Sequence, residues 1–140
     1  MKIFKSTSIS NNYKNSVIAV GNFDGIHVGH KKVLRSAYKK AKKMKKKFGL
    51  LTFEPVPVMF FNKKIINHRL DILPQKISNL KKEKLDFVII QKFNKKFSKL
   101  TYKDFIYKIL FRKIKCKYLY VSKNFKFGNK REGDVSKLKK

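Results

Sequence analysis

The stretch AVGNFDGIHVGHKKVL, residues 19–34, indicates a strand followed by a helix, because it joins an apolar run to an amphipathic pattern. Val17–Val20 are four consecutive apolar residues, typical of a strand buried on both faces of a parallel sheet. From residue 30 onward apolar residues recur every three or four positions, with lysines between them, until Gly49, which predicts an amphipathic helix. The stretch is therefore a predicted strand-to-helix junction that carries two histidines, His27 and His30.

Three more strands and two more helices are predicted after this junction. A second strand covers 50–53 and ends before Pro55 and Pro57, because proline cannot donate to a central ladder. The remaining predicted elements are a helix within 71–85, a strand over 86–91, a helix within 100–114 that Thr101 caps, and a strand over 117–122. Strands that alternate with helices predict an α/β domain with a parallel sheet and right-handed crossovers.

The position of a ligand follows from this topology. In open parallel sheets ligands bind beyond the carboxyl ends of the strands. The loops that follow the first, second and fourth predicted strands, 21–30, 54–61 and 122–134, are therefore expected to face one another. The functional site of the protein is therefore expected among these three loops.

The net charge of +29 would ordinarily indicate nucleic acid or an anionic membrane as a partner. Only four of the 37 basic residues are arginine, which leaves 37 − 4 = 33 lysines, whereas phosphate and base recognition often uses the guanidinium fork. Lysine, asparagine, isoleucine, phenylalanine and tyrosine are also the residues of AT-rich codons. A compositional bias is therefore the preferred explanation, and no specific nucleic-acid partner is predicted.

The compartment follows from what the sequence does not contain. No apolar run reaches the length of a membrane span, and the N-terminus lacks a hydrophobic stretch suited to a secretory signal. The single cysteine, Cys116, cannot form an internal disulfide, and a metal or redox role is not expected for it. These features predict a cytoplasmic protein with no membrane partner.

The two histidines of the junction suit phosphate. The first backbone N–H groups of a helix are unpaired and carry partial positive charge, and His27 and His30 can both donate from its first turn. Gly25 and Gly29 let a ligand approach the backbone closely. The competing interpretation, two histidines without a task, stays open. Zinc is disfavoured because no cysteine or His-Glu-x-x-His arrangement completes a site, so no metal-binding residues are predicted. The third histidine, His68, is expected to have no special role.

The residues Gly21–His30 resemble the signature of the FMN adenylyltransferase domain of prokaryotic bifunctional riboflavin kinase/FAD synthetases. Three further segments match that family in order and spacing: Thr52–Pro57, Arg69–Leu70 and Asn124–Asp134. The resemblance covers essentially the whole chain. It implies a Rossmann-like parallel sheet of the His-x-Gly-His nucleotidyltransferase type. Residues 1–140 would be the N-terminal portion of that domain, incomplete at the C-terminus and without the riboflavin kinase domain.

The resemblance also implies the reaction and its residues. ATP and Mg²⁺ would bind, the FMN phosphate would attack the α-phosphorus, and FAD and pyrophosphate would leave. The implied catalytic residues are His27 and His30. The implied ATP-binding residues are Gly21, Asn22, Phe23, Asp24, Gly29 and Asn124. The residues implied on the FMN side are Pro55, Pro57, Phe61 and Phe127, whose flat apolar surfaces suit an isoalloxazine ring.

Some features depart from the family pattern. Val56 stands where histidine is frequent, and Ser122 stands where glycine is usual. A Ser/Thr-rich segment with an arginine that holds the ATP phosphates lies beyond residue 140 in the family. Weak turnover is therefore expected of this chain alone, with a separately encoded C-terminal part or kinase domain as an expected partner. Two alternatives stay open: a non-catalytic nucleotide- or flavin-binding remnant, and, on charge alone, a basic nucleic-acid-binding protein.

Overall fold

The computed structural model describes residues 1–23, 28–54 and 73–122, together with Gly128 and Gly133. Its strands are β1 (Lys2–Phe4), β2 (Val17–Val20), β3 (Phe48–Glu54), β4 (Phe87–Lys92) and β5 (Tyr118–Val121). They form one parallel sheet in the order β1-β4-β3-β2-β5. The predicted α/β class is confirmed, and the four predicted strands correspond to β2, β3, β4 and β5.

Helices cover both faces of this sheet. The described helical elements are a 3₁₀ turn (Asn11–Tyr13), α1 (Val28–Met44), α2 (Leu73–Lys81), α3 (Lys95–Ser98), and α4 (Tyr102–Asp104), which continues as a π-helix (Phe105–Lys113). Alternate residues of β2 serve the two faces: Val17 and Ala19 pack in the core layer of α1 and α2, whereas Ile18 and Val20 pack in the layer of the π-helix. Because successive strand residues point to opposite faces, a continuous apolar run is what this central strand requires.

The predicted end of the first helix at Gly49 is wrong. Helix α1 ends at Met44, and Lys45 then adopts a positive φ of 56°. The N–H of Lys46 donates to the carbonyl oxygen of Ala41 at 2.9 Å, which closes the helix end. Phe48 and Gly49 belong to β3 instead, and Gly49 lies in register with Phe87 on β4.

The predicted helix within 100–114 is confirmed in place but differs in its winding. The hydroxyl of Thr101 accepts a hydrogen bond from the N–H of Asp104 at 3.1 Å, as expected of an N-cap. Beyond this turn the helix widens, and the N–H of Ile114 donates to the carbonyl oxygen of Ile109, five residues earlier, at 3.0 Å. The wide turn belongs to the rare π type. Its buried side chains are those of Phe105, Ile109 and Leu110.

The sheet order determines where a ligand can bind. Strand β2 lies between β3 and β5, with Val20 in register with Leu51 on one side and Val121 on the other. The chain runs from β2 toward β3 and β4 on one side and returns to β5 on the other, so the strand order reverses between β2 and β5. Such a reversal opens a crevice at the carboxyl ends of the strands. The strand ends from which the three predicted site loops depart are therefore adjacent.

Candidate functional site

The backbone that leaves β2 stays attached to β3 for two residues. The N–H of Gly21 donates to the carbonyl oxygen of Leu51 at 3.1 Å, which extends the ladder beyond the strand. The hydroxyl of Thr52 then donates to the carbonyl oxygen of Asn22 at 2.8 Å. Thr52 is buried, whereas Asn22 is exposed. The start of the junction is thus held in place before the chain turns toward α1.

Phe23 makes the turn and is strained. Its φ is +48°, in the left-handed region that costs a residue with a side chain about 1 to 3 kcal/mol. Its ring is only 2 % exposed. Burial of a phenylalanine side chain contributes about 1.5 to 3 kcal/mol, which is enough to offset such a strain. The ring therefore stabilises a backbone conformation that the residue would otherwise avoid.

Helix α1 begins with an electropositive turn. Gly29 and His30 lie in its first turn, and none of the described residues of that turn is acidic. The dipole of a helix gives its first turn partial positive charge, and exposed Lys31 and Lys32 follow directly. His30 is half-buried, and its ring centroid lies 5.0 Å from that of Phe23 at an angle of 53°. The corner between β2 and α1 is suited to an anion.

Two charged residues on the side of the sheet that α1 and α2 cover were not predicted from the sequence. Glu54 is the last residue of β3, and by strand alternation it faces the same core layer as Thr52. Lys76, on α2, is only 1 % exposed. Its sequence position carried a signal, because it lies three residues after Leu73 and four before Leu80, within the apolar stripe of that helix. A lysine within an apolar stripe is expected to be buried, and a buried lysine is a candidate functional residue.

The structure brings five of the predicted site residues to one corner: Gly21, Asn22, Phe23, Gly29 and His30. The other predicted site residues lie outside the described residues: Asp24, His27, Pro55, Pro57, Phe61, Asn124 and Phe127. Gly128, from the motif predicted over 124–134, lies with its backbone against Tyr102 at the start of α4.

A groove of about 570 Å³ lies between α1 and the end of α2. Four cations line it: Lys31, Arg35, Lys82 and Lys84. It contains none of the predicted site residues. Lys84 also lies over the ring of Tyr38, 5.0 Å from its centroid. The cations of the groove are what a lysine-rich chain would place on many surfaces. The corner at β2 is therefore the better candidate site.

Two kinds of feature are absent from the described ranges. Within them, no helix combines the length and the apolar character that crossing a bilayer requires. In the same ranges, no three side chains of the histidine, cysteine, aspartate or glutamate type group together as metal ligands.

Known proteins resemble this chain over most of its length. A profile of the FAD synthetase family matches residues 9–140. A bifunctional riboflavin kinase/FMN adenylyltransferase of Buchnera aphidicola subsp. Schizaphis graminum is 41 % identical over 125 residues, which is 89 % of this chain and 40 % of that protein. The protein of the same name from Escherichia coli strain K12 is 34 % identical over 124 residues, again 89 % of this chain and 40 % of its own length.

A solved structure supports the fold. A crystal structure described as a macrolide-efflux protein from Streptococcus pneumoniae superimposes with a TM-score of 0.80 over 98 % of this chain and 45 % of the other, at 23 % identity. That likeness concerns the fold alone. The chain spans less than half the length of the curated relatives it matches. The family match over nearly the whole chain nevertheless shows that the chain belongs to the FAD synthetase family.

Proposed function

We propose that this chain carries FMN adenylyltransferase activity, the transfer of the adenylyl group of ATP to FMN with release of pyrophosphate. The observation that carries the proposal is the match of residues 9–140 to the FAD synthetase family. The names of the relatives include the same activity. The electropositive corner between β2 and α1 adds physical support, because it offers helix N–H groups and His30 to a polyphosphate.

The proposed reaction needs alignment and charge stabilisation rather than a covalent intermediate. An oxygen of the FMN phosphate attacks the α-phosphorus of ATP, a new phosphorus–oxygen bond forms, and the bond to the pyrophosphate oxygen breaks. Negative charge increases on the departing pyrophosphate. His27 and His30 would donate N–H groups to phosphate oxygens, and the first turn of α1 would add its backbone N–H groups. Holding both substrates in line removes much of the entropic barrier.

The binding residues remain part of the proposal. On the ATP side these are Gly21, Asn22, Phe23, Asp24, Gly29 and Asn124, and on the FMN side Pro55, Pro57, Phe61 and Phe127. Of these, Asn22 is exposed at the corner, whereas the ring of Phe23 is buried, so Phe23 could offer only its backbone to the nucleotide.

Mg²⁺ would accompany ATP and shield its phosphate oxygens. This ion prefers oxygen ligands, which the phosphates of ATP themselves supply.

The proposal assigns residues 1–140 to the N-terminal part of the adenylyltransferase domain. The riboflavin kinase activity in the names of the relatives would reside outside these residues, as would a further clamp for the ATP phosphates. A C-terminal part with the kinase activity would then act together with these residues. The single cysteine fits a cytoplasmic location, because disulfides are rare there.

The experiment measures FAD formation by the purified chain with ATP, Mg²⁺ and FMN, separated by liquid chromatography. Slow FAD formation is expected, and His30→Ala should lower its rate by about 10²- to 10³-fold, as loss of one donor to transition-state charge does. Lys39→Ala, an exposed position on the same helix, is the matched control and should keep the rate. Binding of ATP or FMN without FAD would favour a non-catalytic remnant. An unchanged rate in His30→Ala would contradict the proposed role of the corner.

A further inference from the structure

The ring of Phe23 is buried although the residue belongs to the stretch that resembles an ATP-binding signature. Only 2 % of the residue is exposed, so the ring cannot present a face to a nucleotide. The ring instead packs beside His30, with the two centroids 5.0 Å apart. Its backbone has a φ of +48°, so the turn that carries the ring is not one that phenylalanine adopts readily. A strained residue beside a functional side chain suggests a role in that function.

The neighbours of Phe23 hold its ring in this place. A Cβ atom on residue 21 would lie 3.0 Å from Cε2 and 3.4 Å from Cδ2 of the Phe23 ring, so Gly21 leaves the space that the ring occupies. The carbonyl of the intervening Asn22 is held by the hydroxyl of Thr52. Three consecutive residues of the junction are therefore arranged to bring one aromatic ring against the first turn of α1.

We infer that Phe23 is a positioning residue for His30, and that Gly21 serves this arrangement by leaving room for the ring. The inference rests on the proposed function and deepens it. A tilted aromatic contact limits the rotation of the imidazole, so its ring nitrogens keep one direction before the nucleotide arrives. An error of about 1 Å in a group that aligns reacting atoms can cost about 10²-fold in rate, so loss of this ring contact should reduce catalysis.

Phe23→Leu tests the inference, with Phe48→Leu as the matched control. Both phenylalanines are 2 % exposed and belong to the same core layer, but the Phe48 ring contacts Tyr38 instead of His30. Both variants should lose similar stability. Only Phe23→Leu should lower kcat for FAD formation, by at least tenfold, with KM for ATP changed less than threefold. The ring protons of His30 should also shift in the NMR spectrum of Phe23→Leu alone, because the nearby aromatic ring current is lost.

A second measurement does not depend on the folding of a variant. In the native chain, nuclear Overhauser effects should connect the ring protons of Phe23 with those of His30, as expected for centroids 5.0 Å apart. Their absence would overturn the inference. Equal kcat and equal His30 spectra in the two variants would overturn it as well.

The outcomes separate this inference from the proposed function. If the native chain neither binds ATP nor forms FAD, the proposed function fails, whatever the NMR spectra show. If the native chain forms FAD and binds ATP but Phe23→Leu behaves like Phe48→Leu, the function stands and the positioning role of Phe23 fails. Phe23→Tyr, which keeps the ring, should lower kcat less than Phe23→Leu does.

Discussion

Substitution of Gly49 by alanine should destabilise the chain, although alanine in a strand interior usually stabilises relative to glycine. Gly49 lies in register with Phe87, whose ring crosses over it. A Cβ atom on Gly49 would come within 2.5 Å of three atoms of that ring. Carbon atoms prefer a separation of about 3.5 to 4.0 Å, so the ring would have to move by about 1 Å or more.

The ring of Phe87 has nowhere to move. Its side chain is fully buried, and it makes edge-on contacts with Phe4 at 6.1 Å and with Tyr13 at 5.1 Å between centroids. Overpacking of this kind costs about 1 to 3 kcal/mol, and we expect the upper end of that range. Alanine returns about 0.5 to 1 kcal/mol of backbone entropy. A net loss of about 2 kcal/mol remains, which for a chain of this size lowers Tm by about 7 °C.

The assay is guanidinium unfolding followed by circular dichroism or tyrosine fluorescence, since the chain has no tryptophan. Gly49→Ala is measured in the native background and in Phe87→Leu. With the ring removed, alanine should be neutral or should stabilise by about 0.5 kcal/mol, so the sign of the effect reverses between backgrounds. An equal loss in both backgrounds, or no loss in the native one, would refute the steric argument.

Two further predictions concern the helix before β5 and the cysteine that follows it. Thr101→Ala should lower the free energy of unfolding by about 1 kcal/mol because the N–H of Asp104 loses its acceptor, whereas Thr101→Ser should not; equal losses in the two variants would contradict the cap. Desolvation by burial raises the pKa of the Cys116 thiol to about 12, only partly opposed by a backbone hydrogen bond with Ile18. Labelling by a disulfide reagent at pH 8 should therefore be slow in the native chain and fast after unfolding, and rapid native labelling would contradict this.

The raised pKa of Cys116 also makes the stability of the fold depend on pH. The folded state holds the proton more tightly than an unfolded chain, whose thiol titrates near 9.0. The stabilisation is therefore complete below pH 9 and is lost as the pH rises toward 12.

The parts of the fold that sequence could predict are those with a local pattern. Val17–Val20 and the helix after it were predictable because one is a continuous apolar run and the other has a clear period. Strand β1 was missed because Lys2–Phe4 has only three residues, and its identity depends on pairing with β4, more than 80 residues away. Gly49 was misassigned because Phe48 continues the helical spacing by chance, and only the ring of Phe87 explains a glycine inside a strand.

The same distinction applies to the helix winding and to the site. The buried residues Phe105, Ile109 and Leu110 fit an α-helix as well as a π-helix, so spacing alone could not tell the two apart. The position of His30 at a strand-to-helix junction was predictable, because the strand end and the helix start both have local sequence patterns. The packing of Phe23 against His30 was not, because it depends on a positive φ that no pattern of residue types reveals.

The placement of β5 beside β2 has a consequence for synthesis of the chain. The two strands are partners, yet about 100 residues separate them along the polypeptide, so one edge of β2 stays uncovered for about 5 to 20 s at ordinary translation rates. During that interval an apolar edge is open to other nascent chains, a known hazard for aggregation. Such distant pairing also raises contact order, which slows folding. The crevice between these two strands can therefore take shape only after the ribosome has released Tyr118–Val121.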